Sequence, residues 1–444
     1  MRKLLAILLA KAGRFVGKLV GKGSSKPGYF ALKADPKILQ KIKLPPYVIA
    51  VSGSNGKTST VEMIAKILTD AGLRVAYNKE GSNQIEGVAT LILGECTLGG
   101  RMKSDVLLIE SDERFARFTF SHFKPTHFVV TNLYRDQLTR NGHPEWVFNA
   151  LSEGVKPAEK LILNADDPLV SLFAEGRENT VWFGCGRLPD SKAENDSVYD
   201  DGRFCPRCGE RMRYDYRVYN HVGSFFCPVC GYARHKPDYE LRTIDLAAGK
   251  LVIAAKDALY EIPMENPSVY AAYNILAAFA AASEAGVPGE KIVSSLQGFA
   301  SRMGRVVSFA LGDHEGKLLT SKHENSISYD QSIAVAAADP EDLSVLVIVD
   351  AVSRKYFTSE TSWFWDIDFE KLNVPHVRHI VLAGTHYGEL AVRFSFTGIP
   401  EERIAAVRSI GEACEILKSY DEKKIYTITC FSDKDKFLDL VERK

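Results

Sequence analysis

The sequence predicts an α/β protein with a central doubly wound parallel sheet, a cysteine-stapled insertion and a smaller Rossmann-like α/β domain at the C-terminus. Three observations predict it. Short continuous apolar runs, such as 48–51, 106–109 and 161–163, alternate with helical patterns from 46 to about 185. Runs of this kind suit strands buried on both faces, and their alternation with helices implies a parallel sheet. The first run ends in a glycine-bracketed turn that opens a helix. Two C-x-x-C pairs interrupt the pattern near residue 200, and after about 310 it restarts.

A chain of 444 residues should form two or three domains. With 45% hydrophobic and 25% charged residues it is neither disordered nor a membrane bundle. The 56 basic residues balance the 56 acidic ones, which gives no support to a nucleic-acid partner. We divide the chain into 1–45, an N-terminal helix and linker; 46–309, a nucleotide-binding domain with an insertion at about 200–238; and 310–444, the C-terminal domain.

Residues 1–22 predict a basic amphipathic helix. Leu5, Leu8, Leu9, Ala12, Phe15, Val16, Leu19 and Val20 share one face, and Lys11, Arg14, Lys18 and Lys22 the other. The apolar run Leu4 to Ala10 is short for a signal-peptide core, and the periodicity continues through Ala10-Lys11-Ala12. The stretch is too short to span a bilayer. Its apolar face can lie on an anionic membrane surface or dock on protein. The glycine- and serine-containing stretch from Gly21 to Gly28 is a linker.

Val48 to Thr60 reads as strand, phosphate loop and helix. Gly53 and Gly56 let the backbone approach an anion, and Ser54, Asn55 and Ser59 complete the turn and the helix start. Lys57 would reach the β- and γ-phosphates of ATP, and the Thr58 hydroxyl would face Mg²⁺. Val51 stands where the common P-loop has its first glycine. The plainer reading is a glycine–serine turn before a helix.

The strand 106–110 ends in Glu110, Asp112 and Glu113, and strand C-termini face the ligand in open α/β sheets. Glu110 is the expected Mg²⁺ ligand beside Thr58; Glu113 could hold a second metal or a substrate ammonium. Solvated loop acids are the alternative. Strands at 127–131 and 160–164 also end in polar residues.

Cys205-Pro206-Arg207-Cys208 and Cys227-Pro228-Val229-Cys230 have the spacing of a zinc ribbon, with Gly209 and Gly231 following as knuckle glycines. Four thiolates leave no open position, so this Zn²⁺ would be structural. A phosphate loop and metal-bound thiolates both suit the cytoplasm.

In the alanine-rich helix at 269–281, Asn274 is either a surface polar residue or a nucleotide contact. Arg305, in a hinge at 301–305, is either a surface arginine or a phosphate contact across a domain cleft. In the C-terminal domain the runs 345–349, 379–383 and 425–429 are further strands. Between them, Trp363 and Trp365 beside Glu360 and Asp366 suggest a site wall, a partner surface or a core edge.

Taken together, these residues resemble the Mur ligase family. The match rests on Pro27-Gly28 with Ala31 to Pro36, the loop Gly53 to Thr58, Gly81-Ser82-Asn83, Glu110 to Glu113, Thr131 to Leu138 and Asn164 to Asp167. It extends through the four cysteines, Tyr273-Asn274, Gly304-Arg305, Ser362 to Asp366 and Glu389 to Phe394. Within the family, the ribbon points to the branch whose ligase subunit works with a glutaminase as lipid II isoglutaminyl synthase. That resemblance implies ATP-dependent amidation of the D-glutamate α-carboxylate of lipid II, through an acyl phosphate. It implies a GatD-like glutaminase partner that supplies ammonia, and work at the inner membrane surface. Glu360 stands near where the family has an aspartate thought to assist the partner's catalytic histidine. Lys322 to Ser326 replaces the family's Asn-Pro-Ala-Gly-type segment, and 350–359 lacks its Ala-Asp-Gly signature. Two other readings are a Mur-type ligase that joins an amino acid to another carboxylate without a glutaminase, and a nucleotide-binding scaffold.

Overall fold

The computed structural model describes residues 2–19, 25–78, 82–256, 258–265, 267–299, 306–352 and 360–443. The chain divides into two compact units. The first holds 1–134, 143–196 and 200–301; the second holds 302–444 together with two short excursions, 135–142 and 197–199.

The first unit is built on a nine-stranded sheet. Its strands are β1 (Tyr47–Ser52), β2 (Val75–Tyr77), β3 (Val106–Glu110), β4 (His127–Val130), β5 (Lys160–Asn164) and β6 (Thr180–Cys185). A separate hairpin, β7 (Arg213–Tyr219) and β8 (Val222–Phe226), is followed by β9 (Tyr239–Asp245), β10 (Lys250–Ala255) and β11 (Ala258–Pro263). Spatial order is β11-β10-β9-β6-β5-β4-β1-β3-β2. From β2 to β9 all neighbours are parallel; β10 and β11 add an antiparallel edge that the apolar runs do not reveal. The order reverses around β1, which has β3 on one side and β4 on the other. Ligands bind at such switch points, beyond the C-terminal strand ends. Alternate residues of β1 serve two cores: Ile49 and Val51 join one with the helix Val269–Glu284, Val48 and Ala50 the other. The period of two along a strand demands this division when both faces are covered.

Helix α1 (Arg2–Leu19) forms where the periodicity places it, and the large apolar side chains of its predicted apolar face stay outward. Ala6, Ile7 and Ala10 are fully buried, whereas Leu5, Leu8, Leu9, Phe15 and Val16 are exposed. Small residues let α1 approach α2 (Lys26–Ala34) closely: a Cβ on Gly13 would lie 3.2 Å from the Pro27 Cβ. None of the described helices is long and apolar enough to cross a membrane.

The second unit carries a seven-stranded sheet. Its strands are β12 (Val306–Leu311), β13 (His314–Ser321), β14 (Leu343–Ile348), β15 (Val377–Ala383), β16 (Ile404–Val407), β17 (Lys424–Cys430) and β18 (Glu442–Arg443). The order is β16-β15-β14-β17-β13-β12-β18, parallel from β16 to β13. The excursions are held within this unit. Arg135 pairs with Asp366 at 2.6 Å, Asn325 Nδ2 donates to Asp136 at 2.8 Å, and Val198 N–H donates to Asp368 at 2.7 Å. Trp363 is core, against Tyr329 and Phe364, whereas Trp365 is half exposed beside Phe396.

Candidate functional site

β1 delivers the chain into a turn that closes at Lys57, the first residue of helix α3 (Lys57–Asp70). Gly53 has φ +135° and Gly56 φ +84°, backbone that only glycine adopts without strain. Both positions are also crowded. A Cβ on Gly53 would lie 2.2 Å from Thr131 Oγ1, and one on Gly56 2.0 Å from Asn274 Oδ1. Thr131 and Asn132, just past β4, fasten the loop. Asn132 Oδ1 accepts the Asn55 N–H at 2.9 Å, and Thr131 Oγ1 donates to the Asn55 carbonyl at 2.8 Å. Ser54 N–H donates to the Asn132 carbonyl at 2.9 Å, and Ser54 Oγ to the Tyr134 carbonyl at 3.0 Å. The loop's shape is therefore held by the chain's own hydrogen bonds.

Two pairs mark its chemistry. Thr58 Oγ1 donates to Glu110 Oε2 at 2.9 Å. Two cis ligands on an octahedral Mg²⁺ with bonds near 2.1 Å stand about 3.0 Å apart, so these two oxygens fit one such ion. Lys57 Nζ is paired with Glu113 and donates to the Gly53 carbonyl at 2.5 Å. Glu113 thus faces the loop lysine. Asn78, which the sequence did not single out, fixes the end of β3: its Oδ1 accepts from Glu110 N–H at 2.9 Å and its Nδ2 donates to Glu110 O at 3.0 Å. An asparagine one residue past the neighbouring strand was the available signal.

Beside the loop, Ser59 and Met63 of α3, Met264, Asn274, Ile275 and Phe299 line a mostly apolar cleft of about 100 Å³. Its polar groups are the Asn274 amide, the Ser59 hydroxyl and the Glu265 carboxylate, and such a mostly apolar lining suits a flat heteroaromatic ring. Asn274 is therefore a neighbour of the loop. Its helix is held by a buried knot: Tyr273 OH donates to Asp166 Oδ2 at 2.6 Å, and Arg234 Nε donates to Asp166 Oδ1 at 2.5 Å. Burial pushes the Asp166 carboxyl up, while Arg234 and Tyr273 pull it back. Arg234 was not anticipated; it lies just past the second cysteine pair.

The four cysteines converge. Their sulfurs lie within 4.8 Å of one another, with Cys205 and Cys230 at 3.6 Å and Cys208 and Cys227 at 3.5 Å. A disulfide needs about 2.05 Å. A tetrahedral ion with bonds near 2.3 Å needs sulfurs about 3.8 Å apart, which fits this set. Gly209 (φ +75°) and Gly231 (φ +71°) close the knuckles, donating to the Cys205 and Cys227 carbonyls.

Glu360 lies in the second unit, exposed; its carboxylate accepts the Ser362 N–H at 2.8 Å, and hydrogen bonds from the Ser362 hydroxyl and N–H hold its pKa below the usual range. Buried Arg393 donates to the Phe364 and Ile367 carbonyls, tying down the turn Ser362–Asp366. Arg305 lies outside the described residues. The structure thus gathers Gly53 to Ser59, Glu110 and Asn274 in one place and the cysteines in another.

Gly56→Val tests the loop. Strain at φ +84° and the clash with Asn274 should weaken nucleotide binding at least about tenfold, read by calorimetric titration with ATP. Unchanged affinity would mean that the nucleotide does not lie on this turn.

Comparison with known proteins agrees with this geometry. Residues 51–203 match the model of the Mur ligase middle domain, and residues 323–433 that of the MurT ligase C-terminal domain. The MurT subunit of lipid II isoglutaminyl synthase from Staphylococcus aureus (strain COL) is 30% identical over 416 residues, 93% of this chain and 92% of that protein. The corresponding subunit from Streptococcus pneumoniae (strain ATCC BAA-255 / R6) is 27% identical over 99% of this chain and 97% of its own. Among solved structures, a pseudomurein peptide ligase type C from Methanothermus fervidus superimposes with TM-score 0.69 at 22% identity, covering 90% of this chain and 80% of that one. MurF ligase from Thermotoga maritima, solved with ADP, gives TM-score 0.61 at 14% identity, covering 94% and 83%. A glycine-bracketed loop at the switch point of a Mur ligase fold, together with this near full-length likeness, places the chain in the Mur ligase family as a member of its MurT branch.

Proposed function

We propose that this chain is the ATP-dependent ligase subunit of a lipid II isoglutaminyl synthase. The observation that carries the reading is the loop with Lys57, Thr58 and Glu110 in one constellation, in a chain that matches MurT subunits over 93% or more of its length. The loop N–H groups and the start of α3 would hold the triphosphate, and Lys57 would exchange Glu113 for the β- and γ-phosphates. Thr58 and Glu110 would hold Mg²⁺, which offsets charge on the phosphate oxygens. Asn274 would meet the base. Arg305 would add a second cation for the transferring phosphate. The γ-phosphoryl group passes to the α-carboxylate of D-glutamate in the lipid II stem peptide, and ADP leaves. Ammonia then attacks the acyl carbon, phosphate departs, and the amide of D-isoglutamine remains. A glutaminase partner supplies the ammonia, with Glu360 assisting its histidine. The four cysteines hold structural Zn²⁺. The chain works in the cytoplasm, against the membrane that carries its substrate.

The test is purified chain with Mg·ATP and lipid II, given either an ammonium salt or glutamine plus the glutaminase. Both nitrogen sources should yield the amide, with ADP released in equal amount. ADP release without amide from either source would overturn the reading.

A further inference from the structure

We propose that the N-terminal hairpin α1–α2 is a membrane-docking surface that takes an anionic lipid bilayer in the plane of α1. The inference goes beyond the reaction above and does not rest on it. α1 is already fully engaged on one side. Ala6, Ile7 and Ala10 are buried to 0% exposure, and three basic side chains clamp the helix to the unit. Lys3 Nζ donates to the Gly99 carbonyl at 2.8 Å, Lys11 Nζ to the Gly94 carbonyl at 2.9 Å, and Arg14 pairs with Glu95 at 2.8 Å. The latter two sit at the C-terminal end of helix α4 (Ile85–Glu95), where cations are favoured. Rolling α1 over to hide its leucines would break all three.

What remains outward is a ridge of Leu5, Leu8, Leu9, Phe15 and Val16, with Phe15 68% and Val16 56% exposed, at the spacing of one helical face. α2 adds exposed Tyr29 and Phe30 between Lys26 and Lys33. Of the 22 large apolar side chains exposed among the described residues, eight fall within residues 4–30, so this is a patch and not scatter. Charge identifies the occupant. Residues 1–34 carry eight basic side chains and no acidic one. Leucine and aromatic residues outward, on a segment that carries basic but no acidic side chains, fit the boundary of an anionic bilayer better than a protein surface of mixed charge. Lys33 Nζ lies 4.7 Å over the Tyr29 ring, an arrangement in which the amine stays at headgroup level while the ring sinks.

The test is flotation of the full chain with vesicles that contain no lipid II, made either of phosphatidylcholine alone or of phosphatidylcholine with phosphatidylglycerol. The chain should float with the anionic vesicles, and high salt should weaken binding. Leu8→Gln/Phe15→Gln and Leu5→Gln/Leu9→Gln should each lower partition at least about tenfold with the thermal midpoint unchanged, because these side chains are exposed. Failure of the unaltered chain to float with anionic vesicles would overturn the proposal, as would double variants that bind as it does. A self-associating chain that ignores vesicles and becomes monomeric in the variants would assign the ridge to a second copy, and overturns it too. Vesicles without substrate keep these outcomes separate from the fate of the ligase reading.

Discussion

Lys57→Ala is expected to lower ATP-dependent amide formation by roughly 10³-fold, because loss of a cation aimed at a transferring phosphate is among the most costly single changes at such a site. The variant has a second effect. Lys57 is paired with Glu113, and their side chains are only 11% and 5% exposed. Removing the lysine breaks a buried ion pair, at a cost of about 3 kcal/mol. Lost activity alone would therefore not separate chemistry from folding. Lys57→Ala/Glu113→Gln does so: the neutral amide needs no cation, and the thermal midpoint should return most of the way. Amide formation should stay as low as in the single variant. The measurements are a thermal melt and single-turnover ADP release with lipid II. If the double variant regains turnover along with stability, Lys57 only holds the loop in shape, and its assignment to the phosphates is wrong.

The central strands were legible because a parallel strand covered on both faces has no room for polar residues between its ends. Tyr47–Ser52 and Leu343–Ile348 are nearly uninterrupted apolar runs and appear as strands in the structure. The turn after β1 was legible because a chain that must bend through φ +135° and +84° requires glycine, and glycine leaves a visible mark. The cysteine cluster was legible for a similar reason: four thiols at knuckle spacing serve few purposes besides a metal. The rest failed on tertiary grounds. Periodicity shows that α1 has two faces but not which one the fold covers. Small residues won, because Ala6, Ala10 and Gly13 permit a close helix–helix approach and three bases reach acceptors. The excursions at 135–142 and 197–199 belong to the second unit although they lie far from it in sequence, and no local pattern encodes that. Arg234 looked like any arginine near a turn until Asp166 and Tyr273 were seen around it.

That buried knot makes the cysteine cluster consequential for the nucleotide. The ribbon has little core of its own: Met212, Tyr214, Phe225 and Tyr232 around Cys205 and Cys227, on a two-stranded sheet. Such a sheet is marginal in water, so a metal would supply most of its stability. Cys227→Ser, or exhaustive chelation, should therefore reduce bound zinc from one per chain to about none and open residues 200–238 to protease. The nine-stranded sheet has two large cores, to one of which the hairpin contributes only Val218, Tyr219 and Val222, and it should stay folded. Arg234 follows the ribbon directly and anchors on Asp166, which also receives the Tyr273 hydroxyl and the Cys185 N–H at 2.6 Å each. A loosened ribbon withdraws the guanidinium from a fully buried carboxylate, whose burial already pushes its pKa up. Asp166 then favours its protonated form, and its hold on Tyr273 weakens. Asn274 is the next residue, against Gly56 of the phosphate loop. The KM for ATP should rise about tenfold, with kcat for amide formation changed much less. Arg234→Met, with the cysteines intact, should reproduce the rise in KM while zinc stays bound. Zinc content unchanged in Cys227→Ser would refute the metal. Zinc lost with KM unmoved would keep the metal but cut its link to the loop.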